Sequence, residues 1–206
     1  MIYSLSEIDA NCKKAARGAG LSWGYAEEAG KAARWLAAHQ LAGASLLAGY
    51  LSLRHENPED YQGSHPRCPL LAGAALCDGG HDDTKHSIVF ADVVCPLLLL
   101  PYLAQLSQAT GKGLRIQWLN TDINCRNGMI LIKESDSIAT DEATHVSCYW
   151  LEDDGISTIS SLYVRPQGVV GQFIKNKDWQ ALESLAHNTY VPATEESRLG
   201  AGPTGS

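Results

Sequence analysis

The hydrophobic pattern changes its period near residue 114, and this change constrains the fold more than any other feature of the sequence. Before it, apolar residues recur at the three- and four-residue spacing of helices; after it, they alternate with polar residues as in strands. Helices are predicted at Asp9–Arg17, Tyr25–His39, about Ala44–Arg54, Pro69–Cys77 and Leu97–Thr110. Strands are predicted at Leu114–Trp118, Met129–Lys133, His145–Leu151 and Ile156–Val164, followed by a last helix from Lys177 or Asp178 through His187.

This order of elements predicts an α+β fold. An N-terminal helical layer is expected to pack on a C-terminal antiparallel sheet of about four strands, with a closing helix. The 206 residues fit a single domain, with a mainly helical half (1–110), a sheet with the closing helix (111–190) and a tail (191–206). The segment 87–94 is either a short strand or an extended approach to the next helix.

Composition and charge exclude several classes of function. The net charge of −7 argues against electrostatic binding of nucleic acid or anionic lipid over an extended surface. The start, MIYSLSEIDA, lacks the basic and apolar runs of a secretory signal, and the longest apolar stretch is interrupted by Pro96 and Pro101. We therefore expect a cytoplasmic protein that does not insert into membranes, with its six cysteines as ordinary, mostly buried thiols.

Standard catalytic and cofactor motifs are absent. The sequence has no G-x-S-x-G elbow, no phosphate-binding G-x-x-x-x-G-K-[ST] loop and no H-E-x-x-H zinc motif. A glycine-rich stretch from Gly18 to Gly24 is one residue too long for a dinucleotide fingerprint and follows a helix instead of a strand. No cofactor is therefore predicted.

The strongest local feature is a charged, glycine-rich turn between the first two predicted helices. Helical spacing makes Lys31 a neighbour of Glu27, Glu28 and Arg34, and Arg17 leaves the preceding helix at a glycine hinge. We predict that Arg17, Glu28, Lys31 and Arg34 converge on one cleft. A neighbouring arginine can lower the pKa of a lysine and so favour its neutral form, which suits proton transfer.

This feature gives the predicted site residues. Glu28 and Lys31 are the catalytic candidates. The substrate-binding candidates are Arg17, Trp23, Glu27 and Arg34. The alternative is that Glu27 and Lys31 form an ordinary surface ion pair and that Trp23 and Trp35 anchor the core.

Two further segments carry candidate functional groups. His81, Asp82, Asp83 and His86 are competent metal ligands in one loop, although a five-residue histidine spacing and the intruding Lys85 favour a solvated loop, and no metal is predicted. The tail from Tyr190 either frays, as termini usually do, or closes a pocket in its own subunit or in a partner's.

Three segments resemble a known family. They are AARGAGLSWGYAEEAGKAARWL at 15–36, CPLLLLPYLA at 95–104 and TYVPATEESRLGAG at 189–202. Together they resemble an uncharacterised bacterial family, domain-of-unknown-function family 3726, over nearly the whole chain. The resemblance implies a bacterial single-domain protein and transfers no activity, catalytic residue or cofactor.

Two functions from different classes remain open. The first is an enzyme of hydrolase, lyase or isomerase type that acts on a small polar, anionic metabolite, with Glu28 or Glu27 as general base. The second is a non-catalytic accessory or assembly subunit of a larger enzyme. Under either, the partners expected are a small-molecule ligand and a second copy of the chain as a possible homodimer, without nucleic acid or membrane.

Overall fold

The helices and strands follow the predicted order closely. A computed structural model describes residues 1–61, 67–80, 87–151, 168 and 170–189. The helices are α1 (Leu5–Gly18), α2 (Trp23–Ala38), α3 (Gly43–Glu56), α4 (Pro69–Ala75), α5 (Leu100–Thr110) and α6 (Asn176–His187). The strands are β1 (Ile2–Ser4), β2 (Ser87–Val94), β3 (Gly113–Trp118), β4 (Thr121–Arg126), β5 (Met129–Ser135), β6 (Glu142–Leu151) and β7 (Gly171–Phe173).

Side-chain caps fix where the first two helices begin. Helix α1 begins at Leu5, four residues before the predicted start, because Ser4 and Glu7 form a capping box. The Glu7 amide donates to Ser4 Oγ at 3.2 Å, and the Ser4 amide donates to Glu7 Oε2 at 2.8 Å. Helix α2 is capped by Ser22 through a 3.4 Å hydrogen bond from the Tyr25 amide.

Small residues let the axes of α1 and α2 approach closely. Gly30 of α2 lies against α1, and a Cβ atom at this position would sit 2.6 Å from Asp9 Oδ1 and 2.8 Å from the Asp9 carbonyl oxygen. Buried alanines fill the rest of this helix–helix contact. The alanine- and glycine-rich composition of the first 38 residues is thus explained by packing.

The main sheet has five antiparallel strands in the order β2-β6-β3-β4-β5, and β1 pairs with β7 in a separate ribbon. The predicted α+β class is confirmed. Of the two alternatives for residues 87–94, the strand is the one observed. It lies at one edge of the sheet, so the mainly helical half contributes to the sheet. Strand β4 was not predicted, and the predicted strand Ile156–Val164 lies outside the described residues.

Helix α5 begins later than the sequence indicates. A short 3-10 turn at Pro96–Leu99 precedes it, and the α-helical hydrogen bonding begins only at Leu100. Pro101 in the first turn explains the change, because proline lacks the amide that an earlier α-helical start would require at that point. Helix α5 is nevertheless buried along most of its length, with every residue from Leu100 to Ala104 inaccessible to solvent or nearly so.

The late helix α6 completes the N-terminal helical layer. It packs on α1 and α3, with Leu182 and Leu185 buried. The ribbon beside it ties the chain start to this region, since the Met1 ammonium group donates to the Ile174 carbonyl oxygen at 3.0 Å. The described residues of the helices and of the sheet share one apolar core.

Two further observations bear on the sequence predictions. All six cysteines fall within the described residues; they are free thiols, five of them buried and Cys77 half-buried. In the described parts of the chain, no helix combines the length and apolar character needed to cross a lipid bilayer.

Candidate functional site

A cleft between α2 and α5 holds two of the predicted site residues. It consists of two cavities, of about 230 Å³ and about 370 Å³. Glu28 of α2 and Tyr102 and Gln105 of α5 line both cavities, so these three side chains stand where the cavities meet. We call the two cavities together the α2–α5 cleft.

The smaller cavity contains the predicted catalytic pair. Glu28 and Lys31 lie one helical turn apart, and Lys31 Nζ donates to Glu28 Oε1 at 2.7 Å. This hydrogen bond, with the charge of Glu28, raises the pKa of Lys31. The predicted shift of Lys31 toward neutrality is therefore wrong, because a carboxylate and not an arginine is its immediate neighbour. Lys31 serves as a cation here.

Tyr102 is the most unusual group at the cleft. The residue is 3% exposed, its ring packs directly against Gly73 of α4, and its hydroxyl has no hydrogen-bond partner among the described residues. Burial, with the negative charge of Glu28 nearby, raises the pKa of Tyr102. The hydroxyl therefore stays protonated and can donate a hydrogen bond.

The larger cavity adds a thiol and a second carboxylate. Cys77 and Asp78 line it beside Glu28, and the Cys77 thiol donates to the Tyr102 carbonyl oxygen at 3.5 Å. Burial, reinforced by the negative charges of Asp78 and Glu28, raises the pKa of Cys77 to about 11. The thiol is thus held protonated, which argues against a nucleophilic cysteine.

Two other predicted residues, Arg17 and Glu27, lie near a third, the exposed Trp23. Arg17 lies with its guanidinium carbon 5.5 Å from the centre of the Trp23 ring and donates to the Leu21 carbonyl oxygen at 3.0 Å. Glu27 accepts from Lys13 Nζ at 2.6 Å and also borders the larger cavity. Arg17 and Trp23 are not among the described residues that line the cleft.

Arg34 also has its partner elsewhere. Its Nη1 atom lies 3.5 Å from Asp9 Oδ2, across the contact between α1 and α2. The structure therefore brings Glu28 and Lys31 together in the cleft, with Glu27 at its border, and places Arg17 and Arg34 in other contacts. The convergence predicted for all four charged residues is limited to one ion pair.

Sequence reasoning missed the residues that α5 supplies. Tyr102, Gln105 and Gln108 form the wall opposite Glu28 and Lys31. One signal for them exists in the sequence, because Tyr102 is the single polar side chain in the run CPLLLLPYLA. A buried tyrosine hydroxyl normally needs a partner.

The other two predicted candidates cannot be placed in this site. The histidines and aspartates at 81–86 lie outside the described residues, as does the tail from 190 onward. Within the described ranges, no three side chains of His, Cys, Asp or Glu are grouped as a metal ion would require.

Comparison with known proteins confirms the family resemblance over the first part of the chain. Residues 3–74 match the model of the family described as "Protein of unknown function (DUF3726)". The matched segment ends within α4, so the resemblance expected for residues 95–104 and 189–202 lies beyond it. No curated protein and no solved structure matches the chain.

Proposed function

We propose that this protein is an enzyme that binds a small polar metabolite in the α2–α5 cleft and moves a proton with Glu28. The observation that carries the proposal is Tyr102, a residue that lines both cavities and whose buried hydroxyl has no hydrogen-bond partner among the described residues. A buried unpartnered polar group costs about 1–3 kcal/mol. Such a cost is expected where a ligand provides the missing hydrogen bond.

The groups around this hydroxyl suit acid–base chemistry on an anionic metabolite. Glu28 is part-exposed, with 32% of its side chain accessible, and can accept a proton from a bound molecule. Lys31 is 64% exposed and has donors left over after its bond to Glu28, so it can bind an anionic group. Neutral Tyr102 donates a hydrogen bond. These roles fit a hydrolase, lyase or isomerase.

The test is a ligand screen followed by charge-removing variants. Organic acids, amides and amines are screened for an increase in thermal stability, because a ligand of the native state raises the apparent melting temperature. Glu28→Gln and Lys31→Ala should remove the increase that a hit produces. Glu56→Gln and Lys177→Ala, at exposed positions in α3 and α6, are charge-matched controls that should retain it. If a hit raises the melting temperature of all four variants, the cleft is refuted as its binding site.

The accessory-subunit hypothesis is favoured by a different observation. Ile2 and Phe173 lie opposite each other in the β1–β7 ribbon, so they share one face, and both are exposed. An exposed apolar pair of this kind suits contact with a protein partner. Co-purification of the tagged protein from its native source tests this second candidate. A stoichiometric partner enzyme that is lost in Phe173→Ser would support it, and recovery of the chain alone would oppose it.

A further inference from the structure

The five-stranded sheet has one polar face, which none of the assignments above uses. Arg115 lies opposite both Asn124 and Tyr149, and Gln117 lies opposite both Asp122 and Ser147. Directly opposed residues of antiparallel strands share a face. We therefore define the polar sheet face by Arg115, Gln117, Asp122, Asn124, Ser147 and Tyr149.

The other face of the same strands belongs to the apolar core. Leu114, Ile116, Cys125 and Cys148 are its members, and they are buried in one cluster with the leucines of α5. Strand β4 is buried on both faces, although four of its six residues are polar. Packing in the apolar core explains why Ile123 and Cys125 are buried. It does not explain why the polar residues Asp122 and Asn124 are buried.

The charges on the polar sheet face are already neutralised from within. Arg115 Nε donates to Asp122 Oδ1 at 2.9 Å, and Arg115 Nη2 donates to Asp122 Oδ2 at 2.6 Å. This bidentate pair occupies one edge of the guanidinium group. Glu134 of β5 lies opposite Asp122 and adds a negative charge. An anionic ligand would therefore be repelled here, and a neutral one is favoured.

Asn124 provides an independent observation that points to a ligand. The residue is 4% exposed, and its buried Oδ1 atom accepts no hydrogen bond from a described residue. Strand alternation directs its side chain to the polar sheet face, beside Arg115. The missing interaction is a hydrogen bond from a donor located on this face, and a ligand hydroxyl can provide it.

Tyr149 adds accessible aromatic surface next to these polar groups. It lies opposite Arg115 and is 38% exposed. Val89 of the neighbouring edge strand β2 lies opposite Ser147 and is also exposed. A phenol ring and a valine beside amides and a hydroxyl suit a molecule with both an apolar face and several hydroxyl groups.

We propose that the polar sheet face binds a neutral, hydroxyl-rich small molecule of the saccharide class. One ligand hydroxyl donates to Asn124 Oδ1, others bond to Gln117 and Ser147, and the C–H face of the sugar ring packs on Tyr149. Hydroxyls fit because each can donate and accept. This site is separate from the α2–α5 cleft and does not depend on the function proposed there.

The test uses glucose and N-acetylglucosamine as probes and citrate as the anionic comparison, with binding followed by saturation-transfer NMR and titration. At least one sugar should bind, and citrate should not. Asn124→Leu should weaken sugar binding about tenfold, the effect of one lost hydrogen bond. Tyr149→Ala, at a partly exposed position, should weaken it while leaving the circular dichroism spectrum unchanged. Thr144→Ala, on β6 but outside this face, is the control and should bind like the unchanged protein.

Three results would overturn the proposal. The first is the absence of binding by both sugars. The second is sugar binding that persists in Tyr149→Ala and in a folded Asn124→Leu. The third is sugar binding that is lost in Glu28→Gln but kept in the two sheet variants, because this would place the sugar in the cleft.

Discussion

Replacing Tyr102 by phenylalanine should make the protein more stable and remove its ligand. The hydroxyl is buried, and no described residue bonds to it. Its removal relieves a desolvation cost of about 1–3 kcal/mol, and the ring, which packs on Gly73, keeps its contacts. For a chain of this size each kcal/mol raises the melting temperature by about 2–4 °C. Calorimetry and urea unfolding measure the change.

Tyr50→Phe is the matched control. Tyr50 is as deeply buried as Tyr102, but its hydroxyl lies 2.8 Å from the Cys68 sulfur and forms a hydrogen bond with it. Loss of this bond should lower the free energy of unfolding by about 1 kcal/mol. The two substitutions remove the same atom and should act in opposite directions. A destabilised Tyr102→Phe variant, similar to Tyr50→Phe, would show that the Tyr102 hydroxyl is bonded in the free protein and would refute the reasoning.

Two other predictions concern packing and pH. Gly30→Ala should destabilise the protein by about 1–3 kcal/mol, because the new Cβ atom would meet the Asp9 backbone. Gly49→Ala is the control: its Cβ atom would meet nothing within 4 Å, so it should stabilise α3 by up to about 1 kcal/mol. Urea unfolding compares the free energies of unfolding of the two variants. The hydrogen bond from Arg115 lowers the pKa of Asp122 in the folded protein. The ion pair therefore contributes its full stabilisation above about pH 4, the pKa of an aspartate in the unfolded chain. This stabilisation is lost as the pH falls through the lower pKa of the folded protein. Unfolding between pH 6 and pH 2 should therefore show a shallower acid loss for Asp122→Asn, and an unchanged slope would contradict this assignment.

The fold was predictable where the sequence pattern reflects a single requirement. Helix α2 has its cap at Ser22 and a regular apolar stripe, and both were visible in the sequence. Strand β4 was not, because it is buried on both faces with Asp122 and Asn124 among its residues. The burial of Asp122 depends on its partner in a neighbouring strand, Arg115, and pairing between strands cannot be read from periodicity.

The candidate site was predictable only in part, for a related reason. Glu28 and Lys31 are neighbours on one helix, so their spacing is enough to place them together. Arg17 and Arg34 were expected to join them, but Trp23 and Asp9 are nearer partners. Tyr102 comes from a helix more than 70 residues later in the sequence. Spacing identifies contacts within a helix and gives no information on which helix lies opposite.

The position of α6 has a consequence for how the molecule is made. Helix α1 is covered by a segment that ends at residue 187, and Gly18 of α1 touches the Leu185 backbone directly. A nascent chain that has emerged from the ribosome only as far as residue 110 still exposes this flank of α1. Contacts of such long sequence separation form slowly, and uncovered apolar surface attracts chaperones and other unfolded chains. The helical layer is thus expected to close only after synthesis of α6.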